Sequence, residues 1–591
     1  MHPGNYRARV LSDLCQSFLL PVVSARILLI YFDLPLSRLQ TNFLSLAAIV
    51  AWAILRSAGI DYLQRTQARA LQARAIPQVL GRWPGNIDVL FRMMKDFRTS
   101  YILDVYLQLF EEYKCTTLNL RILWRDTIIS MDQEHSKYVL STGFHRFWRG
   151  RAQKERFETF LGRGIFNRDD GEWRYHRAVA RPFFAKERVQ DFEIFNKYTT
   201  RTMDILTSVA SADEAFDAQD LYGRLTLDSA SEFLFGKNLD TLSETRPIPG
   251  KTSMGPKGSA VEGAWGTFAE AFEAAQQNCT NRARIGHWWP LFELFKDKNE
   301  ANAQVIHRWL DPLVDMALNS KRESQGAPIG DITQRTFLEH LAQSTDDPSV
   351  IRDQLLNMLL ASRDTTATVL TYLTYFLALY PDVTEVLRQE VLEHCGQSSP
   401  GSHDSFREMK YLRAVLNETL RLFPPVPLNI RQSRDSSFTL PSPDPTYPVF
   451  ERRPLFMPAN TPIIYLPLLT QRNPALWGDD ADEFDPERWL DPARLARLAN
   501  NTAMFMPFSA GPRICIGQNY AYNQMSYFVV RLLQRFDRFT LTPEFQPLGS
   551  LPPEVWKKRK GRQVYERVWP AAALTLFAKG GLWMKFHLAD Q

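Results

Sequence analysis

Near its C-terminus the chain reads Phe508-Ser509-Ala510-Gly511-Pro512-Arg513-Ile514-Cys515-Ile516-Gly517. A single cysteine sits between two glycines, with an arginine two positions before it. Gly511 and Gly517 permit a tight turn. A thiolate is a nucleophile and a metal ligand, whereas a free thiol has a pKa of about 8.5 and must lose its proton to bind. Backbone N–H groups, a bound cation and the N-terminus of a helix starting after Cys515 each stabilise such an anion. The other cysteines, Cys15, Cys115, Cys279 and Cys395, are widely spaced and form neither a C-x-x-C nor a zinc pattern. An odd, scattered set argues against a disulfide framework.

Working outward, the stretch Ser349–Tyr380 contains neither Gly nor Pro. It follows Asp347-Pro348, a helix cap with proline at the first helical position, and stops at Tyr380-Pro381. That predicts a helix about 48 Å long, apolar nearly all round and so placed through the centre of the fold. Its middle carries a polar patch, Ala361-Ser362-Arg363-Asp364-Thr365-Thr366, which is costly to bury unless it is satisfied or used. Further along stand Glu418-Thr419-Leu420-Arg421, which runs into Leu422-Phe423-Pro424-Pro425, then Asn429-Ile430-Arg431 and Pro486-Glu487-Arg488-Trp489. Upstream lies Trp173-Arg174-Tyr175-His176-Arg177.

Taken together, these segments resemble the cytochrome P450 family. The cysteine stretch matches F-x-x-G-x-R-x-C-x-G at every fixed position. The others are similar to the family's E-x-x-R, PERF and W-x-x-x-R segments and to the [A/G]-G-x-[D/E]-T-[T/S] of its oxygen-activating helix. Ser362 departs from the usual glycine there and leaves the width of the local helix distortion open. The resemblance implies the cytochrome P450 fold, mainly α with small β-sheets, and heme b with its iron on the Cys515 thiolate. A thiolate ligand pushes electron density to the iron and favours O–O cleavage. Phe508, Gly511 and Gly517 would shape the loop against the porphyrin, while Arg513, Trp173, Arg177 and Arg431 would reach its propionates. Glu418, Arg421 and Arg488 would form a buried structural network. Asp364 and Thr365 would relay protons to bound oxygen.

The implied activity is a monooxygenase that inserts one atom of O2 into a C–H bond. Its electrons would come from NADPH through a separate NADPH-cytochrome P450 reductase. Pro427-Leu428-Asn429-Ile430-Arg431, the Ser362–Thr366 patch and Phe268–Phe272 look closest to fungal alkane and fatty-acid hydroxylases. The expected substrates are long-chain alkanes, fatty acids or bulky apolar compounds. Phe268–Phe272, Leu359–Leu360 and Val426–Leu428 are candidate pocket residues, with ordinary core packing as the alternative for each. Two other readings stay open: a P450-fold isomerase or dehydratase acting on a hydroperoxide, and a haem sensor or carrier without turnover.

Composition sets the outer bounds. The chain has 591 residues, 45% of them hydrophobic and 23% charged. A wholly disordered chain would be poorer in apolar residues, and a polytopic transporter would need several long apolar spans. A formal charge of +5 gives no chain-wide nucleic-acid signal. The run Lys557-Lys558-Arg559-Lys560 reads as solvated loop. Two apolar stretches, Leu14–Phe32 and Phe43–Leu55, open the chain, the second being the better candidate for a membrane span. A buried helical hairpin is the alternative. Arg56, Arg65, Arg69 and Arg74 follow the second stretch, which places the body on the cytosolic side; the family resemblance implies the endoplasmic reticulum membrane. The expected organisation is a membrane anchor and basic linker at 1–75 and a catalytic domain at 76–591. Within that domain Thr241–Gly266 reads as an internal loop. Pro462–Leu469 and Ala573–Phe586 read as strands, the latter with a hairpin cue at Ala578-Lys579-Gly580-Gly581.

Overall fold

Asp347 caps the helix around which the body is assembled. Its side chain accepts hydrogen bonds from the N–H groups of Ser349 (3.0 Å) and Val350 (3.3 Å). The helix then runs without interruption over Pro348–Leu379, 32 residues in all, buried along nearly its whole length. Ala218–Phe235, itself buried on almost every side, packs along it. Lys410–Leu422, Pro381–Cys395, Glu300–Glu323 and Gln518–Arg535 also contact it. Two apolar helices in contact remove the most surface from water per residue, so they form the centre of a helical fold.

The computed structural model describes residues 6–33, 35–184, 192–260, 263–323, 336–444 and 453–590. Among them are four small sheets. The largest, of five strands, runs in the order Thr117–Asn119, Ile128–Ser130, Pro462–Tyr465, Asn429–Ser433, Phe147–Trp148. In it Arg431 lies opposite Ile463 in an antiparallel pair, which turns the arginine inward. The mainly helical class with small sheets is therefore as the sequence implies.

Two local expectations are corrected. The segment Pro462–Leu469 is a strand only to Tyr465, after which Pro467–Thr470 is a short helix. The hairpin expected around Lys579 does not form: Leu576–Ala578 pairs with Pro570–Ala572, and Trp583–Leu588 pairs with Phe536–Leu541. Gly580 and Gly581 do make a turn with positive φ, but it passes the chain from one sheet to another. In the loop Thr241–Gly266, positions 261 and 262 lie outside the described residues. The part before them is a loop as expected, with a short 3-10 turn at Thr241–Ser243, and it carries Lys257 into the interior.

At the N-terminus Tyr6–Tyr31 and Arg38–Ala70 are helices of 26 and 33 residues, apolar enough to cross a membrane, and only 6% of each apolar stretch is buried. They span about 39 and 50 Å, against about 30 Å of hydrocarbon. Such exposure rules out the alternative of a buried hairpin. A π-helical turn at Cys15–Leu19 precedes Pro21, where the proline ring has no N–H to give and crowds the carbonyl four residues back. Ser37 and Gln40 cap the second helix reciprocally.

Both outer ends of this hairpin are fastened to the body. Arg9 pairs with Glu155 at 2.9 Å, Asp13 accepts from His287 (2.8 Å) and Arg125 (2.9 Å), and Val10 is fully buried. On the second helix Asp61 pairs with Arg121, and Gln64 donates to Asp126 at 2.7 Å. The strand Arg74–Ala75 pairs with Leu455–Phe456, so the chain is part of the body from Arg74 onward. Removal of residues 1–73 is expected to move the protein from the membrane pellet to the soluble fraction on cell lysis. A truncated chain that still pellets would show that another surface holds the bilayer.

Candidate active site

A cavity of about 670 Å³ lies between the central helix and the cysteine loop. Cys515, Phe508, Arg513 and Gly517 line it on one side and Thr365 and Ser362 on the other, with Trp173, Arg177 and Arg431 completing the same wall system. The loop closes on itself: Cys515 N–H donates to the Phe508 carbonyl at 2.9 Å, and Ile514 N–H to that of Gly511 at 3.0 Å. Gly511 has φ +65°, and a Cβ there would fall 1.9 Å from the Leu140 carbonyl oxygen. Its need for glycine thus comes from a neighbouring backbone, not from a ligand. Gly517 has φ −94° and meets only Phe184, at 3.9 Å, so the room beside it belongs to the cavity.

The helix Gln518–Arg535 starts directly after Gly517 and directs its positive end at the sulfur. Cys515 is enclosed by protein yet exposed to the cavity. Burial pushes its thiol up, against the opposing pull of the Gly517 N–H and of Arg177. A cation bound at the sulfur supplies what the protein alone does not, since coordination deprotonates a thiol outright.

Four arginines gather beside it. Arg513 donates to Asp169 at 2.9 Å and lies over the Trp173 ring at 4.4 Å; burial, then Arg431 nearby, brings it down to about 10. Arg177 donates to the Ile514 carbonyl at 3.0 Å. Arg149, which no motif marked, donates to Asn429 at 3.1 Å. It is pushed well below the usual arginine range by burial and by Arg431 and Arg513. The Nε atoms of Arg149 and Arg431 are buried without a partner, and no aspartate or glutamate is among the described residues lining the cavity. This wall lacks anions.

On the distal side the two expected relay residues part company. Thr365 lines the cavity and donates its hydroxyl hydrogen to the Ala361 carbonyl at 2.7 Å. Asp364 does not line it. Its carboxylate is buried against Lys257 Nζ (2.6 Å) and Arg363 (2.9 Å), while Arg363 reaches Glu273 at 3.3 Å. Burial alone would raise this acid, but Lys257 and Arg363 outweigh it and hold the carboxyl below its ordinary range. The helix is regular past Ser362, whose hydroxyl bonds the Met358 carbonyl at 2.8 Å.

The family model for cytochrome P450 matches residues 88–564. The chain belongs to the cytochrome P450 family. Among its relatives, cytochrome P450 52E2 of Candida apicola is 33% identical over 470 residues, 78% of this chain and 86% of that protein. A cytochrome P450 monooxygenase, g430, of a Fusarium species is 32% identical over 83% of this chain and 84% of its own length. Cytochrome P450 52A13 of Debaryomyces hansenii is 32% identical over 77% and 84%.

As a P450 the protein binds haem through a cysteine thiolate, and the residues present fit that group. A cysteine faces the cavity at a helix N-terminus, and arginine N–H groups without partners on the same wall would suit the propionates of such a group. Arg149 lies on that wall with Arg431 and Arg513; its sequence signal, a lone arginine after Phe147-Trp148, is indistinguishable from a surface residue. The pocket expectations divide. Leu360 and Val426–Leu428 line the cavity, but Leu359 and Phe268–Phe272 do not. Phe268 stacks on Phe272 at 5.8 Å and meets Trp309 at 5.2 Å, which is core packing.

Behind the P450 loop Glu418 is fully enclosed. It accepts two bonds from Arg421 (2.8 Å each) and one each from Arg488 (3.0 Å), Trp489 (2.9 Å) and the Asp485 N–H (3.0 Å). Burial would raise this carboxyl, yet the two arginines hold it below its usual range. Its contribution to stability is therefore complete above the ordinary carboxylate pKa and is lost as the pH falls through the lowered value. Glu418→Ala leaves Arg421 buried without its counter-charge and Arg488 with only Asp480, and is expected to cost about 3–5 kcal/mol, read by denaturant unfolding of the haem-loaded protein. Unchanged stability would show that the network is dispensable.

Proposed function

We propose that this monooxygenase hydroxylates long-chain apolar substrates from a position on the endoplasmic reticulum membrane. Residues 1–73 would form the anchor, and the catalytic body would lie in the cytosol. One observation carries the reading: Cys515, at the start of an 18-residue helix, and Thr365, on the central helix, face one predominantly apolar cavity. Arg56, Arg65, Arg69 and Arg74 lie after the apolar part of the second N-terminal helix, which favours the cytosolic side for the body. With both hairpin ends fastened to the body, the N-terminus would share that side. The reductase proposed to supply electrons is the NADPH-dependent, membrane-bound one.

When bound, haem would supply the activation of O2 and the insertion of one of its atoms into a C–H bond, the other leaving as water with the two electrons and two protons delivered. In this proposal Cys515 Sγ is the donor to the iron, and Arg149, Arg431 and Arg513 fix the group's orientation through its carboxylates. The aromatic and aliphatic wall, including Phe157, Leu161, Val369 and Leu428, excludes water and holds the chain to be oxidised. Thr365 holds and moves a proton at the cavity face through its Oγ. Asp364 is its acid partner only when the Lys257 contact is broken.

Two variants test this. Cys515→Ala is expected to lose both the red-shifted carbon monoxide band of the reduced protein and all NADPH-driven product. Retention of that band would remove sulfur as the ligand. Thr365→Ala is expected to keep haem but to divert electrons to hydrogen peroxide, measured as peroxide formed per NADPH consumed. A ratio equal to that of the wild type would show that Thr365 moves no proton.

A further inference from the structure

Beyond the four arginines at the cysteine end, the cavity wall carries three more cations, Arg98, Arg284 and Lys579. Lys579 is engaged, with its ammonium 3.9 Å over the Trp569 ring. Arg284, at the end of the helix Gly263–Ile285, gives one N–H to the Ala572 carbonyl at 2.9 Å and lies 5.6 Å from the Phe97 ring centroid. Its ionisable neighbours are Tyr106 and Arg98; no carboxylate is among them. Arg98, in the last turn of the helix Ile87–Thr99, forms no ion pair among the described residues.

A largely enclosed guanidinium without a counter-ion is unfavourable. Its planar fork suits a carboxylate, which it binds bidentately. Phe97 and Tyr106 border Arg284, and Arg98 beside it is exposed, so the cavity joins a hydrocarbon lining to a cationic patch separate from the arginines at the cysteine end. A neutral alkane would exclude water from that patch and leave it unpaired. An amphiphile with one anionic end would match both surfaces.

We infer that Arg284, with Arg98 beside it, binds the carboxylate of a long-chain fatty acid, so that this enzyme takes its substrate as the anion in preference to the uncharged hydrocarbon or ester. The inference rests on the monooxygenase reading above, and it narrows the substrate class within it.

The test is a spectral titration of the haem-loaded full chain with hexadecanoate and with methyl hexadecanoate, which differ only at the head group. The wild type is expected to bind the acid about tenfold or more tightly than the ester, the ratio a charge-assisted pair gives. Arg284→Gln should bring the two ligands to within about twofold of one another by weakening the acid alone, and Arg284→Lys should restore part of the difference. Arg98→Gln, on a different helix, should weaken the acid severalfold and leave the ester unchanged, which keeps the test intact if the Arg284 variant fails to fold. Equal affinities for acid and ester in the wild type would overturn the inference. So would a parallel loss of both ligands in the two glutamine variants, the mark of a packing role. Failure of the parent reading is distinct: ester and acid would both bind, yet neither would be oxidised with NADPH and reductase.

Discussion

Five donors converge on the two oxygens of Glu418, and the cysteine side of the molecule hangs from that convergence. Arg421, held by Glu418, also donates to the carbonyls of Gln471 and Ala481. Gln471 in turn accepts from the Met506 N–H at 3.1 Å, at the start of the chain that leads into the cysteine loop. Trp489, bonded to the same carboxylate, packs on Phe505 with ring centroids 4.6 Å apart. A charge buried this deeply stays ionised only while every partner keeps its place. The network therefore fixes the backbone of Met506–Gly517 without any of its members touching the cavity.

The cavity follows the opposite rule. Its wall is rich in guanidinium groups and carries no carboxylate among the described residues, and two of its arginines keep buried N–H groups unmatched. Protein interiors seldom tolerate such groups. Their presence marks the positions where the molecule completes its hydrogen bonding with something other than itself. The central helix shows a third arrangement: Asp364 and Arg363 are ion-paired within the protein by Lys257 and Glu273, whereas Thr365, with Ser362 and Thr366, lines the cavity.

Much of this was legible in the sequence because its signals are local. The cap at Asp347, the proline after Tyr380 and the absence of breakers between them define the central helix almost to the residue. The spacing within Phe508–Gly517 encodes a turn whose glycine at 511 is forced by contact with Leu140. What was not legible depends on partners distant in the chain. Gly580-Gly581 specifies a turn but not which sheets its two arms join. The apolar run Phe268–Phe272 has the same pattern whether it lines a cavity or fills a core, and it fills a core. Lys257 lies in a stretch that reads as loop and Arg149 carries no motif, and only tertiary folding brings one onto Asp364 and the other beside Arg431.

The N-terminal hairpin bears on orientation as well as attachment. A body hung from one helix can swivel about its tether and present any side to the lipid. Here the strap is buckled at two points, Arg9–Asp13 against Glu155, His287 and Arg125, and Asp61–Gln64 against Arg121 and Asp126. Two fixed points remove that rotation, so the attitude of the catalytic body above the bilayer plane is set by the fold itself rather than averaged by diffusion.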